Sequence, residues 1–236
     1  MTDAWSEIMK DAADAVFGEY FIEREDGRVE TLKVSDYRAP FSEWSEVERL
    51  AIKHVKGRVL DIGCGAGRVA LHLQNLGFSV VCVDLAPDAI KGCKKLGVKE
   101  AYVMSADNLE FPDLEFDTVI LFGNNFGILG DEQKIIDMLK TLYRVTKPDG
   151  VILAGSSDVK LTDDQEHLNY HEMNLSKGRP KGLVRLRVKY KDITDDWTEL
   201  RLAMPDEMEF MAKEAGWKMK TIYQKGMLYV GVLTKS

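Results

Sequence analysis

Val59-Leu60-Asp61-Ile62-Gly63-Cys64-Gly65-Ala66-Gly67-Arg68 sets a short apolar strand against three alternating glycines, and a helical pattern follows from Val69. Glycines between a strand and a helix let the chain turn tightly and bring bare backbone close to a ligand, in the crevice outside the carboxyl ends of a parallel sheet. Asp61, two residues before the first glycine, points into that crevice; its carboxylate suits a cation and repels a phosphate. A dinucleotide fingerprint requires glycine or alanine where Arg68 stands, and the G-x-x-x-x-G-K-S/T phosphate loop is absent.

The pattern extends in both directions. Upstream, residues 42–55 carry apolar positions at helical spacing, with Ser42 as N-cap and Glu43 and Glu46 in the first turn. Downstream, residues 69–76 read as a helix ended by Gly77, and 78–84 as an almost continuously apolar strand, the mark of burial on both faces. Pro87 opens a helix over 87–96 that Gly97 stops. Strands at 100–104 and 117–122, a helix at 131–145 and a strand at 150–155 follow. Strand and helix alternating at this spacing imply parallel pairing through right-handed crossovers, so the expected class is α/β, a Rossmann-like doubly wound sheet over residues 43–155.

Two segments stand outside the alternation. Residues 1–42 hold a helix at 5–17 and a hairpin, 20–24 and 29–34, turning at Asp26-Gly27, as an N-terminal cover. Residues 156–204 are polar as far as Gly182 and then alternate over 183–190 and 197–202, a small antiparallel β insertion on the substrate side after the fifth core strand. Residues 205–236 complete the core with a helix at 205–215 and strands at 217–224 and 227–233, joined across Lys225-Gly226.

Acidic groups recur at the strand ends. Asp84 closes the second core strand, where a carboxylate accepts both hydroxyls of a ribose. Ser105-Ala106-Asp107-Asn108 follow the third, with a carboxylate and an amide within reach of an adenine amino group. Taken singly, each is equally a solvated loop residue or a helix cap; three at successive strand ends point to one ligand.

The stretches VLDIGCGAGR, VVCVDLAP, SADNLEF, FDTVILFGNNFGILG and LYRVTKPDGVILAG, over roughly residues 57–155, resemble the class I S-adenosylmethionine-dependent methyltransferases of the small-molecule type. PDEMEFMAKEAGW and the strand pair after it resemble the end of that fold, a seven-stranded sheet whose last strand is antiparallel. The resemblance implies S-adenosyl-L-methionine as cofactor and S-adenosyl-L-homocysteine as product. It implies that Asp61 holds the methionine amino group and that Gly63, Cys64, Gly65 and Gly67 pass under the amino acid moiety. It further implies that Asp84 binds the ribose with Leu85 packed on adenine, that Ala106, Asp107 and Asn108 contact the base, and that Gly123 and Asn124 lie beside the sulfonium. Ala86-Pro87 departs from the serine-proline of many relatives, which weakens a helix cap.

Methyl transfer from a sulfonium is an in-line displacement, so the protein has mainly to align the reactants and exclude water. A base is needed where the acceptor is a hydroxyl or a protonated amine. The catalytic residue is unassigned; Tyr20, Tyr37 and His171 are candidates, His54 and His72 fall in scaffold helices, and His167 and His171 lie in the insertion, where a solvated loop histidine is the favoured reading over one facing the pocket. Tyr20, Tyr37 and Trp44 resemble the family's aromatic cover over the cleft, and with Asn125 and Arg185 they are the candidate acceptor contacts. Phe122-Gly123-Asn124-Asn125-Phe126 lacks the prolines of the turn used on exocyclic base amines, and no cysteine stands there for attack on a pyrimidine. Both absences favour a small-molecule acceptor.

The 236 residues carry 32 basic and 39 acidic side chains, a net charge of -7, which argues against wholesale wrapping of a phosphate backbone. Within 177–191, however, Lys177, Arg179, Lys181, Arg185, Arg187, Lys189 and Lys191 occur without an acid, as a solvated strand face, a site for an anionic small molecule or an RNA surface. An RNA methyltransferase using this strand and a catalytically inactive cofactor-binding module are therefore the alternatives to a small-molecule enzyme. Cys64, Cys82 and Cys93 are odd in number and show no metal-ligand spacing, so the expectation is no metal and a reducing, cytoplasmic setting. No apolar run approaches the ~18 residues of a membrane span, and the first residues are acidic and amphipathic where a signal peptide is basic and then apolar. The oligomeric state is not legible.

Overall fold

The computed structural model describes residues 3–236. Helix α1 (Ala4–Ala13) starts where the Asp3 carboxylate accepts from the Ser6 amide at 2.6 Å, and it buries Ala4, Ile8, Met9 and Ala12. It stops short of the expected Phe17, because Ala15 turns into the left-handed region and Val16 and Phe17 lie exposed. The hairpin β1 (Glu19–Arg24) and β2 (Val29–Lys33) turns through Asp26-Gly27 as expected. Helix α2 (Glu46–Ala51) is shorter than the reading over 42–55. Its cap is Ser45 rather than Ser42: Ser45 Oγ accepts from the Glu48 amide at 3.3 Å while the Glu48 carboxylate accepts from the Ser45 amide at 3.2 Å. That reciprocal pair satisfies two helix-end donors that Ser42 cannot reach.

The alternating core then runs β3 (Arg58–Ile62), α3 (Arg68–Asn75), β4 (Ser79–Asp84), α4 (Pro87–Lys95), β5 (Glu100–Val103), β6 (Phe116–Leu121), α5 (Glu132–Val145) and β7 (Thr146–Ser157). The insertion holds α6 (Gln165–Ser176), β8 (Leu183–Tyr190), β9 (Ile193–Thr194) and β10 (Thr198–Arg201), and the chain closes with α7 (Pro205–Glu214), β11 (Trp217–Lys225) and β12 (Leu228–Lys235). Seven strands form one sheet in the order β11-β12-β7-β6-β3-β4-β5. Pairs from β5 to β7 are parallel, and β12 enters antiparallel to both β7 and β11. Leu60, Val81, Val119 and Ile152 pack under α5 and α7, whereas Val59, Val80, Ile120 and Leu153 pack under α2, α3 and α4. Both faces are covered, which is why the middles of these strands are mostly apolar, as in Val80 to Val83 and Val119 to Leu121. Strand order reverses beside β3, and the crevice outside the carboxyl ends of β3, β4 and β6 is where an open α/β sheet binds its ligand.

A second sheet has the order β10-β8-β1-β2, with β9 paired to β8. Register Ile22↔Val188 and Arg24↔Leu186 joins the N-terminal hairpin to the insertion. Tyr20, Leu186, Val188 and Tyr190 share one cluster with Ile8, Met9 and Ala12 of α1 and Ala89 of α4, so this sheet is seated on the core through α1. Helix α6 lies in a segment whose polarity hides it; Asp164 caps it by accepting from the Glu166 and His167 amides at 2.8 and 3.3 Å. Among the described residues no helix is long and apolar enough to cross a membrane.

Candidate active site

The glycine turn is clamped from both sides. The Gly63 and Cys64 amides donate to the Val83 carbonyl of β4 at 2.9 and 3.2 Å, and the Asn125 side-chain amide, beyond β6, donates to the Ile62 and Gly63 carbonyls at 2.9 and 3.1 Å. Gly63 sits at φ +68°, and a Cβ there would collide with the Asn125 amide. At Gly65, φ +54°, a Cβ would press on Met9 Sδ at 3.2 Å and the Tyr37 ring at 3.3 Å. The N-terminal cover therefore lies directly over the loop.

Asp61 is only 3% exposed, and its Oδ2 has no hydrogen-bond partner. Burial pushes its carboxyl up to about 7; Cys93, Asp84 and Glu48 add to that, and Arg68 opposes it. A buried carboxylate oxygen without a donor is a standing electrostatic debt that a bound ammonium would cancel. Asp84 is half-buried at the end of β4: Oδ2 accepts from the Gly65 amide and Oδ1 from the Ala86 amide, both at 2.9 Å. Burial raises its pKa against the lowering effect of those bonds. With about four acceptor positions on a carboxylate, room remains for a diol. Leu85 next to it is 70% exposed, an apolar side chain free to be covered by a planar ring. Ala106 packs against the core, Asp107 and Asn108 are exposed, and the Asn108 amide donates to Glu110 at 3.2 Å. Gly123 is exposed past β6, and Asn124, at φ 69°, accepts from Ser157 Oγ at 2.9 Å. A cavity of about 140 Å³ opens beside these two, lined among others by Ser45, Glu48, Ser156 and Tyr229.

The acceptor candidates divide. Tyr20 and Tyr37 meet through their hydroxyls at 3.1 Å and share an aromatic group with Trp5. Burial pushes Tyr20 up to about 12 and Tyr37 well above its ordinary value, so neither phenol gives up its proton readily. Trp44 is buried in the layer under α2 and α3, its indole donates to the Ala39 carbonyl at 3.0 Å, and Arg68 lies 4.4 Å over its ring. Asn125 is likewise tied to the loop, both of its bonds going to backbone carbonyls. Arg185 is exposed, 5.9 Å from the Trp197 ring centre. His171 is buried on α6 with Nδ1 unpartnered, and burial, aided by Lys181, His167 and Arg24, pushes it down to about 4. His54 bonds Tyr223 at 2.8 Å and His72 stacks on Phe41 at 4.3 Å, both in the scaffold, while His167 Nδ1 lies 2.9 Å from Arg24.

Acids from elsewhere in the chain meet the basic run. Glu23 holds Arg187 and Lys189 at 2.6 and 2.7 Å, Glu25 holds Arg179 at 2.6 Å, and Glu7 and Asp11 hold Lys191 at 2.9 and 2.7 Å. Hydrogen bonds from Arg187 and Lys189 hold the Glu23 carboxyl down at about 2. The sequence does not reveal two further groupings: the ion pair of Arg68 with Glu48 at 2.9 Å, and the convergence of Cys64, Cys82 and Cys93, whose sulfurs all lie within 4.8 Å of one another.

A seven-stranded sheet with an antiparallel last strand, carrying carboxylates at the ends of β3 and β4 around a glycine turn, has the fold of the S-adenosylmethionine-dependent methyltransferases. A solved enzyme of that class from Bacteroides fragilis, in complex with S-adenosyl-L-homocysteine, superposes with a TM-score of 0.82 at 24% identity, covering 100% of this chain and 95% of that one. Residues 59–150 match the family model of the methyltransferase domain. The YqeM protein of Bacillus subtilis (strain 168) is 28% identical over 78% of this chain and 82% of its own. The malonyl-[acyl-carrier protein] O-methyltransferase of Yersinia pestis is 31% identical over 51% of this chain; this chain spans about half, 48%, of that relative.

Proposed function

We infer that the protein transfers a methyl group from S-adenosyl-L-methionine to a small-molecule acceptor. The observation that carries this reading is Asp61: a buried carboxylate whose Oδ2 lacks a donor, under a glycine turn and next to Asp84. Nothing in the apolar core calls for a charge there, and an amino acid ammonium answers it. Asp84, held by two backbone amides, is oriented to receive the ribose hydroxyls; Leu85 supplies the apolar face for adenine, and Ala106, Asp107 and Asn108 the rim around the base. When bound, the cofactor supplies an electrophilic methyl on a sulfonium. The chain's own contribution is to hold the two ends of that cofactor, to exclude water with Trp5, Met9, Tyr20 and Tyr37 over the loop, and to leave an opening beside Gly123 and Asn124.

The size of that opening favours a compact acceptor, being below the ~300–1,000 Å³ of pockets for drug-sized ligands. Charge pairing along residues 177–191 disfavours the RNA reading, because cations already neutralised by Glu7, Asp11, Glu23 and Glu25 have less to gain from phosphates. The test is calorimetry of S-adenosyl-L-homocysteine against wild type and Asp84→Ala, followed by turnover of the methyl donor with a panel of small acceptors. Saturable binding that Asp84→Ala weakens, with turnover, supports the reading; equal affinity in the two proteins refutes the site. Binding without turnover on any acceptor or extract would favour a cofactor-binding module.

A further inference from the structure

Beneath the glycine turn, three elements that share no sequence motif bring their thiols together: Cys64 from the turn itself, Cys82 from β4 and Cys93 from α4. All three are free and buried. Cys64 Sγ lies 3.8 Å from Cys93 Sγ, and the Gly65 carbonyl oxygen lies 3.2 Å from Cys93 Sγ and 3.8 Å from Cys64 Sγ. A tetrahedral ion with Zn–S bonds of roughly 2.3 Å and a Zn–O bond of roughly 2.1 Å requires S–S edges of about 3.8 Å and S–O edges of about 3.6 Å. The three edges among Cys64, Cys93 and the Gly65 carbonyl match those lengths to within a few tenths of an ångström, and the Cys82 sulfur lies within 4.8 Å of the other two sulfurs.

We propose that Cys64, Cys82 and Cys93 bind one thiophilic divalent cation of the zinc class, with the Gly65 carbonyl in the fourth position. The ion would tie the glycine turn to β4 and α4, in addition to the amide bonds that already hold it. Binding is a ligand exchange without electron transfer: three S–H bonds give up their protons to solvent, three metal–sulfur bonds form, and the cluster carries a net single negative charge. A divalent ion limits that charge to one where a monovalent ion would leave two, which matters next to the Asp61 carboxyl. Thiolate ligands favour zinc-class ions over magnesium or calcium.

The experiment uses the full chain, reduced and stripped with a chelator, and titrates it with Zn²⁺ against a chromophoric competitor. The expected result is one ion per chain, a raised melting temperature, and X-ray absorption showing three sulfur scatterers and one light atom. Cys82→Ala and Cys93→Ala, checked for folding by circular dichroism, are expected to weaken binding by about a hundredfold or more. Uptake equal in wild type and both variants, a shell of nitrogen and oxygen only, or no uptake by the reduced chain overturns the proposal. Should either variant fail to fold, the wild-type sulfur count decides alone. Since no readout involves methyl transfer, failure here leaves the proposed function untouched, and the reverse holds equally.

Discussion

Replacing Asp61 by asparagine is expected to move stability and cofactor affinity in opposite directions. The folded carboxyl is raised from 3.8 to about 7 by burial. Below about pH 4 both folded and unfolded chains hold the proton and the group is neutral in its effect. Between about pH 4 and 7 the unfolded chain releases the proton while the folded chain keeps it, so stability falls as pH rises; above 7 the penalty is constant. Taken in full, the shift costs the fold about 4 kcal/mol. Asparagine removes that cost but buries an amide that needs partners, worth about 1–3 kcal/mol. The net expectation for Asp61→Asn is a gain of about 1–3 kcal/mol at pH 8 and, because the amide's cost does not vary with pH, a loss of about 1–3 kcal/mol at pH 4, read by urea denaturation. Loss of a charged hydrogen bond to the ammonium costs about 1.5–3 kcal/mol, roughly a 10–100-fold weaker affinity for S-adenosyl-L-homocysteine by calorimetry. Wild-type affinity should also fall by up to about tenfold per pH unit below 7, a dependence that the variant lacks. A variant that is less stable than wild type at pH 8 and binds the cofactor equally well would refute the reasoning.

Other perturbations follow the same geometry. Asn125→Ala strands the Ile62 and Gly63 carbonyls, so a loss of about 1–2 kcal/mol of stability is expected by denaturant titration, along with weaker cofactor binding from a loosened turn. Ser45→Ala removes half of the capping box on α2 and should cost about 1 kcal/mol while leaving cofactor affinity unchanged. Tyr37→Ala opens the cover over Gly65 and is expected to raise KM for the methyl donor more than it lowers kcat; a change confined to kcat would contradict its role as cover. Filter binding to RNA at low salt should show no steep salt dependence; a slope of several decades would revive the RNA reading.

The core was legible because its signals are local. Val80 to Val83 is apolar throughout because both faces are covered, and Asp61, Gly63 and Asp84 stand out by their positions at the strand ends. The end of α2 was misjudged because Ser42 and Ser45 both look like caps, and only the glutamate three residues on, Glu48, distinguishes them. Helix α6 went unseen because, of its twelve residues, only Tyr170, His171 and Asn174 are buried, too few for a periodic stripe. The union of the hairpin with β8 and the meeting of three cysteines depend on contacts between distant parts of the chain, which spacing along the sequence does not encode. Trp44 illustrates the same limit: an aromatic ahead of the core is cover or core according to which face its turn presents, here the face against α3 and Arg68.

A crystal structure of the chain grown with S-adenosyl-L-homocysteine bears on all of this at once. The expected result is the amino group of the ligand within hydrogen-bond distance of Asp61 Oδ2, the ribose hydroxyls on Asp84, the ring over Leu85, and the sulfur facing Gly123 and Asn124. A ligand lodged elsewhere, or one that leaves Asp61 Oδ2 without a donor, would contradict it.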